Sequence, residues 1–252
     1  MNKTVKLLEG VVMPLHGDEA QYQLNAEVRD NILRFVSRYY AVPGRFYHDF
    51  DHIKAMLNNH RKYFEHDPTD ALFFAIVMHD TIWIPGQSPR SEDMSEALVP
   101  YVYYQTVGEK IPLWFNDVVR QLIHWTIANT HTRDNRLLMT KQVGSSDAER
   151  ILDLDLASMS RDWIEFVEIQ RAIDLEFAHM GTPDSRMKAS AAFLKQFIDK
   201  GFVYYSEEMR HLNEKAMRNL KAYVAYIEKT NMGTWEALFT VDPVHMEGLY
   251  HT

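Results

Sequence analysis

Asp67-Pro68-Thr69-Asp70-Ala71-Leu72-Phe73-Phe74-Ala75-Ile76-Val77-Met78-His79-Asp80 carries eight apolar residues in succession, Ala71 to Met78, between polar flanks. Periodicity cannot separate a buried helix from a buried strand over so short a run. The Asp-Pro start favours helix, because Asp is a good N-cap and Pro suits the first helical position. A helix that is apolar on every side belongs at the centre of a fold. The run is far too short to cross a bilayer, which takes about 20 residues.

Working outward, the same punctuation recurs. Ser146-x-x-Glu149 reads as a capping box before Ile151-Leu152. Thr182-Pro183 opens a segment that closes on Lys200-Gly201, a cation followed by a C-terminal glycine. Ser206 precedes Glu207-Glu208, acids suited to the positive end of a helix dipole. Further helices are expected over residues 21–40, 51–64, 92–106, 114–130, 161–179 and 206–229. Strand signals are nearly absent, and no Asn-Gly or Asp-Gly hairpin turn occurs. The expected fold is all-α, a single globular helical bundle over residues 1–230. Ile84-Pro85-Gly86-Gln87-Ser88-Pro89 is a loop by its turn residues. Residues 231–252, with Gly233, Pro243 and Gly248 among aromatics, read as a short irregular C-terminal extension. It would dock on the domain or on the second subunit of a homodimer.

Composition narrows the function. The 252 residues are 46% hydrophobic and 25% charged, ordinary for a globular chain. The formal charge is -8 with no dense basic run, so no nucleic-acid duplex is expected as a partner. The absence of cysteine excludes disulfides, thiolate catalysis and iron–sulfur clusters, and leaves nitrogen and oxygen as the ligands for any metal. Residues 1–10 lack a signal-type apolar core, and no membrane-length segment follows. A cytoplasmic protein with no membrane partner is expected.

Four segments carry candidate chemistry. In Arg45-Phe46-Tyr47-His48-Asp49-Phe50-Asp51-His52-Ile53, His48 and His52 stand i, i+4 and share one face if the segment is helical. His79-Asp80 ends the buried helix. His124 and His131 stand i, i+7. Leu152-Asp153-Leu154-Asp155-Leu156 brings two carboxylates. Each has a plain structural reading: a chance pair among 12 histidines, a polar helix end, a core histidine beside Trp125, a solvated edge. Position changes this for His79-Asp80. A carboxylate at the end of a buried helix must be paired, protonated or metal-bound. The partial negative charge of a helix C-terminus favours a cation beside it.

In this order, His52, then His79-Asp80, then Asp155, the chain resembles the H…HD…D pattern of the HD superfamily. It is similar to the branch of predicted metal-dependent HD phosphohydrolases. Arg45, Tyr47, His48, His52 and Ile53 match a segment of the form R-x-Y-H-x-x-x-H-I. Glu92 and Ser95 partly match N-E-x-x-S-A, with Ser91 in place of Asn and Glu96 in place of Ala. Residues 127–131 meet T-x-x-H loosely. Asp153, Asp155 and Leu156 match D-x-D-L, and Ala216-Met217-Arg218-Asn219-Leu220 is similar to A-R-x-N-L. The resemblance spans residues 24 to 225.

The resemblance implies an HD-type bundle in which His52, His79, Asp80 and Asp155 hold one divalent metal, whether manganese, magnesium, cobalt, iron or zinc. Asp155 is preferred over Asp153 because it directly precedes Leu156. Asp80 would orient or deprotonate the attacking water, Glu92 would position it, and His48 joins them as a catalytic candidate. His48, His124 and His131 are also candidates for a second metal or for phosphate contacts. Arg45 and Arg133, with Tyr47, are candidates for binding the substrate. The expected activity is hydrolysis of a phosphate ester or anhydride in a small phosphorylated molecule, with a nucleotide as the default on fold analogy alone. The alternatives are a di-iron HD oxygenase and a nucleotide-binding module without catalysis.

Overall fold

The computed structural model describes residues 24–126, 146–230 and 234–249, and among these there are eleven α-helices and no strand. They are α1 (Ala26–Tyr40), α2 (Phe50–Tyr63), α3 (Asp70–Met78), α4 (Arg90–Val107), α5 (Leu113–Trp125), α6 (Ser146–Asp155), α7 (Trp163–Glu176), α8 (Pro183–Lys200), α9 (Asn213–Thr230), α10 (Trp235–Leu238) and α11 (Pro243–Leu249). No helix among the described residues is long and apolar enough to cross a membrane.

Helix α3 is the hub. Leu72 to Met78 are all buried, and α1, α2, α4, α5 and α6 pack around it. An element with no polar face can only be satisfied by neighbours on every side. Its start differs from the Asp67-Pro68 expectation. Thr69 is the N-cap, its hydroxyl accepting from the Leu72 amide at 3.1 Å. Pro68 stays outside, where its carbonyl accepts from Arg29 at 3.0 Å. Asp70, at the head of the helix, is taken up by the Arg29 guanidinium and the Leu24 amide.

The other boundaries follow from caps. Asn25 caps α1, accepting from the Val28 amide, and Ile32, Val36 and Tyr40 form its buried stripe at i, i+4, i+8. Thr182 caps α8 ahead of Pro183, and Gly201 closes it at φ +88°, a left-handed conformation that glycine adopts without a Cβ penalty. Helix α5 stops at Trp125, where Thr126 turns back to the Ile123 carbonyl. The expected continuation to residue 130 lies outside the described residues.

Two expectations fail. The helix expected from Ser206 begins only at Asn213, because the Ser206 amide and hydroxyl both donate to Asp153. Asn213 in turn accepts from the Val203 and Tyr204 amides. The extension read as irregular carries α10 and α11. Trp235 and Leu238 are buried, the Trp163 indole donates to the Leu238 carbonyl at 3.0 Å, and α11 packs on α9. Its apolar residues supplied a helix face, which glycine and proline counting hid. The extension therefore docks on its own chain.

Asn219 on α9 explains part of the last motif. Its buried Nδ2 donates to the Met159 and Arg161 carbonyls, both at 2.9 Å, and so fastens the 3-10 turn that follows α6. Asn219→Ala would leave two carbonyls without that donor and is expected to cost about 1–3 kcal/mol. Urea unfolding followed by circular dichroism checks this, and an unchanged midpoint would count against the clamp.

Candidate metal centre

Three helices converge on one point. Asp49 caps α2, accepting from the Asp51 and His52 amides, and sets His52 facing inward from its first turn. His79 and Asp80 follow the last turn of α3. Asp155 ends α6. His79 Nε2 lies 3.0 Å from Asp80 Oδ2 and 3.6 Å from Asp155 Oδ1, and His52 Nε2 lies 3.2 Å from Asp155 Oδ1. The ligand atoms of His52, His79 and Asp80 all fall within 4.8 Å of one another, and all three residues are buried.

The protonation pattern is informative. His79 Nδ1 is 2.9 Å from the Ile76 carbonyl, which can only accept, so Nδ1 carries the hydrogen. Nε2 then faces two carboxylates, which draw a proton or a metal cation to it. Among the described residues, no partner in hydrogen-bond geometry meets the buried Nε2 of His52 or of His79. Lone pairs and carboxylate oxygens repel unless a proton or a metal cation stands among them. Two ligands each about 2.1 Å from one ion are about 3.0 Å apart at a right angle and about 3.4 Å at the tetrahedral angle. Two of the three observed separations, 3.0 and 3.2 Å, fall in that range, and the third, 3.6 Å, lies just beyond it. Imidazole with carboxylate is also a donor set that suits divalent transition metals, so these residues fit a metal.

The electrostatics agree. Burial opposes charge on His79, but Asp80 and Asp155 outweigh it and hold the imidazole pKa well above its ordinary value. Burial likewise opposes ionisation of Asp155, yet the imidazoles of His52 and His79 hold its carboxyl well below the ordinary range. Asp80 is lowered too, against burial, chiefly by His79. The pocket is built to keep its carboxylates ionised beside positive charge.

The two aspartates of the D-x-D-L segment separate cleanly. Asp153 points away from the group. It is fully buried and accepts from the Tyr205 amide, the Ser206 amide and the Ser206 hydroxyl, while burial pushes its pKa up to about 7. Asp155→Ala is therefore expected to lose bound metal by elemental analysis. Asp153→Ala should keep it and lose folding stability instead. The reverse order would overturn the assignment.

His48 is placed differently from the i, i+4 expectation. It lies in the turn before α2, because Asp49 rather than an earlier residue caps the helix. Its ring is still 5.8 Å from that of His52 and stacks on Trp83 at 3.7 Å. His48 Nδ1 donates to Glu176 Oε2 at 2.6 Å, and the Trp83 indole donates to the same oxygen at 2.9 Å. Glu176 Oε1 accepts from the amides of Phe46, Tyr47 and His48 at 2.8, 2.8 and 2.9 Å. Sequence reading missed Glu176. The available signal was an acid in the last turn of α7, where the helix dipole disfavours it unless donors are supplied.

Arg45, expected to bind substrate, does something else. Nη1 donates to the His48 and Asp80 carbonyls at 2.8 and 2.6 Å, and Nη2 donates to the Thr81 carbonyl at 3.0 Å. It ties the His48 turn to the His79-Asp80 turn, so its donors are directed at backbone. Glu92 is buried at the start of α4, close enough to Asp80 and His79 to feel both. Its Oε1 accepts from Ser88 at 2.7 Å, its Oε2 has no hydrogen-bond partner among the described residues, and burial raises its pKa. Ser91 and Ser95, one turn apart, accept from the Ile84 and Ile82 amides at 3.0 Å each and hold the post-Asp80 loop on α4. His124 does not join the group. It is exposed on α5, with Nδ1 3.6 Å from Glu96 Oε1, in a separate cluster with Asp93. The Glu96 that departs from the motif is what draws it there. His131 and Arg133 lie outside the described residues.

Comparison with family models, curated proteins and solved structures gave no match.

Proposed function

We propose that this chain is a metal-dependent phosphohydrolase of the HD type, acting in the cytoplasm on a phosphate ester or anhydride of a small molecule such as a nucleotide. The observation that carries the proposal is the pair of buried imidazole nitrogens of His52 and His79, without a hydrogen-bond partner among the described residues, grouped with Asp80 and lying 3.2 and 3.6 Å from Asp155.

His52, His79, Asp80 and Asp155 would hold the metal. Bound there, a divalent ion supplies Lewis acidity toward a phosphoryl oxygen and lowers the pKa of water toward neutrality. Asp80, kept ionised by its surroundings, orients the attacking water and accepts its proton. His48 holds its Nδ1 proton on Glu176, which leaves Nε2 to donate a proton to the departing oxygen. Burial works against a charge on His48, but the Glu176 hydrogen bond and the Asp80 and Asp155 carboxylates raise its pKa, so the acid form is available near neutrality. Glu92 supplies a buried carboxyl oxygen near Asp80 to fix the water.

The di-iron alternative drew on His124 and His131 as additional ligands. His124 is turned to Glu96, so the described residues favour the hydrolase. A phosphate-release screen over nucleotides and simple phosphate esters, with manganese, magnesium, cobalt and iron supplied separately, tests the proposal. Release under at least one metal is expected. Dioxygen uptake with no phosphate release under any metal would overturn it.

A further inference from the structure

We propose that Arg161, with the hydroxyls of Tyr47 and Ser158, binds the phosphoryl group of a small phosphomonoester whose organic part fills the cleft beside His52, a proposal that rests on the phosphohydrolase reading. The cleft is about 320 Å³, and His52, Tyr47, Ser158 and Arg161 are among the residues that line it. That volume lies at the low end of ligand pockets, enough for one small molecule.

Tyr47 links this corner to the metal-capable group. Its ring centroid is 4.9 Å from that of His52, and its hydroxyl donates to Ser158 Oγ at 3.2 Å. Asp155, Asp80 and Arg161 are all near enough to act electrostatically on the Tyr47 hydroxyl. Ser158 and Arg161 belong to one turn, closed by the Arg161 amide donating to the Ser158 carbonyl at 3.1 Å. Asn219 fixes that turn through the Arg161 carbonyl.

Among the described residues, Arg161 is the one lysine or arginine lining the cleft. Its ion pair with Glu165 is long, 3.4 Å, between side chains 38% and 49% exposed. Such a pair is weak and easily exchanged for a better anion, and a guanidinium fork matches phosphate oxygens. Arg45, by contrast, is committed to carbonyls.

The other charged groups that the described residues bring to the wall are the carboxylates of Asp49, Asp51 and Glu165. One cation can match one phosphate. A second or third phosphate would lie against carboxylates, and like charges at close range are costly. The substrate class is therefore a phosphomonoester with an uncharged or cationic organic part, which admits nucleoside monophosphates and disfavours nucleoside triphosphates.

The test uses the full chain loaded with the metal that supports turnover. Phosphate release is compared for nucleoside 5′-monophosphates, p-nitrophenyl phosphate and nucleoside triphosphates. Monoesters should exceed triphosphates in kcat/KM by about ten-fold or more, Arg161→Gln should lower monoester kcat/KM by about ten-fold or more, and Arg161→Lys should recover part of the loss. Preference for triphosphates, or an unchanged Arg161→Gln, would overturn the proposal. If the wild type releases phosphate from none of these, the hydrolase reading fails separately. The corner is then judged by calorimetric titration of inorganic phosphate into the metal-loaded protein: binding weakened about ten-fold in Arg161→Gln supports it, and equal or absent binding sinks it.

Discussion

Asp80→Ala is expected to abolish metal-dependent phosphate release while the helical content stays unchanged, and His79→Ala to do the same. Asp80 combines two tasks in the proposed mechanism, ligand and base. Loss of a positioned base alone costs about 10²–10⁴ in rate, and loss of a metal ligand adds to that. The fold should survive because the backbone of the turn is held independently. The His79 amide still donates to Ala75, the Thr81 amide to Met78, and Arg45 still reaches the carbonyls of residues 80 and 81. Thermal unfolding separates the two effects. A ligand that binds only the folded state at a hundred times its Kd stabilises by about 2.7 kcal/mol. The wild type should therefore show a metal-dependent rise in Tm, and Asp80→Ala should lose that rise without losing its metal-free Tm. Full activity in metal-loaded Asp80→Ala would remove the mechanism.

Glu176→Ala should be the most damaging change away from the metal-capable residues. It strands five donors at once: three consecutive amides, the Trp83 indole and the His48 ring. Even partial rescue by water leaves a loss on the order of 3–5 kcal/mol, read as a fall in the denaturant midpoint. Glu176→Gln is the sharper probe. Its amide oxygen can still accept from the three backbone amides, but its NH₂ faces the His48 and Trp83 donors. The expected result is a folded protein in which the His48 pKa falls. Because the acid form of His48 donates the proton, activity declines as pH rises through that pKa, and the alkaline limb of kcat/KM should move to lower pH. The sign for stability follows from the same pair. The His48 pKa is raised on folding, so its contribution is full below about 6.5 and is lost as pH rises through the folded value. Burial opposes ionisation of Glu176, but His48 and the amides lower its pKa, so its contribution is present above its unfolded value and is lost as pH falls through the folded one. The stability gap between wild type and Glu176→Gln should thus narrow at both ends of the range. A pH profile that does not move would assign Glu176 to folding alone.

The sequence made some of this legible and hid the rest for physical reasons. Helix α3 could be read because a run with no polar face admits only a central place, and α8 because both of its caps are local signals. His52, His79, Asp80 and Asp155 could be ordered by resemblance, and the preference for Asp155 over Asp153 accords with the opposite directions the two carboxylates take. What could not be read were partnerships between residues far apart in the chain. Glu176 lies more than a hundred residues from the turn it organises, and Arg45 looks like a phosphate ligand until the carbonyls of residues 80 and 81 are brought to it. Asp153 and Ser206 misled the placement of α9 in the same way, since a serine before two acids reads as a cap unless a buried carboxylate competes for it. The HD resemblance likewise rests on a few spaced residues, and its chemistry on the geometry they adopt.

The most direct test is a crystal of the protein grown with manganese and measured at a wavelength where manganese scatters anomalously. One peak is expected within about 2.0–2.4 Å of His52 Nε2, His79 Nε2 and a carboxylate oxygen each from Asp80 and Asp155. A peak confined to the Asp93, Glu96 and His124 cluster, or one that leaves any of the four side chains beyond bonding reach, would contradict the account.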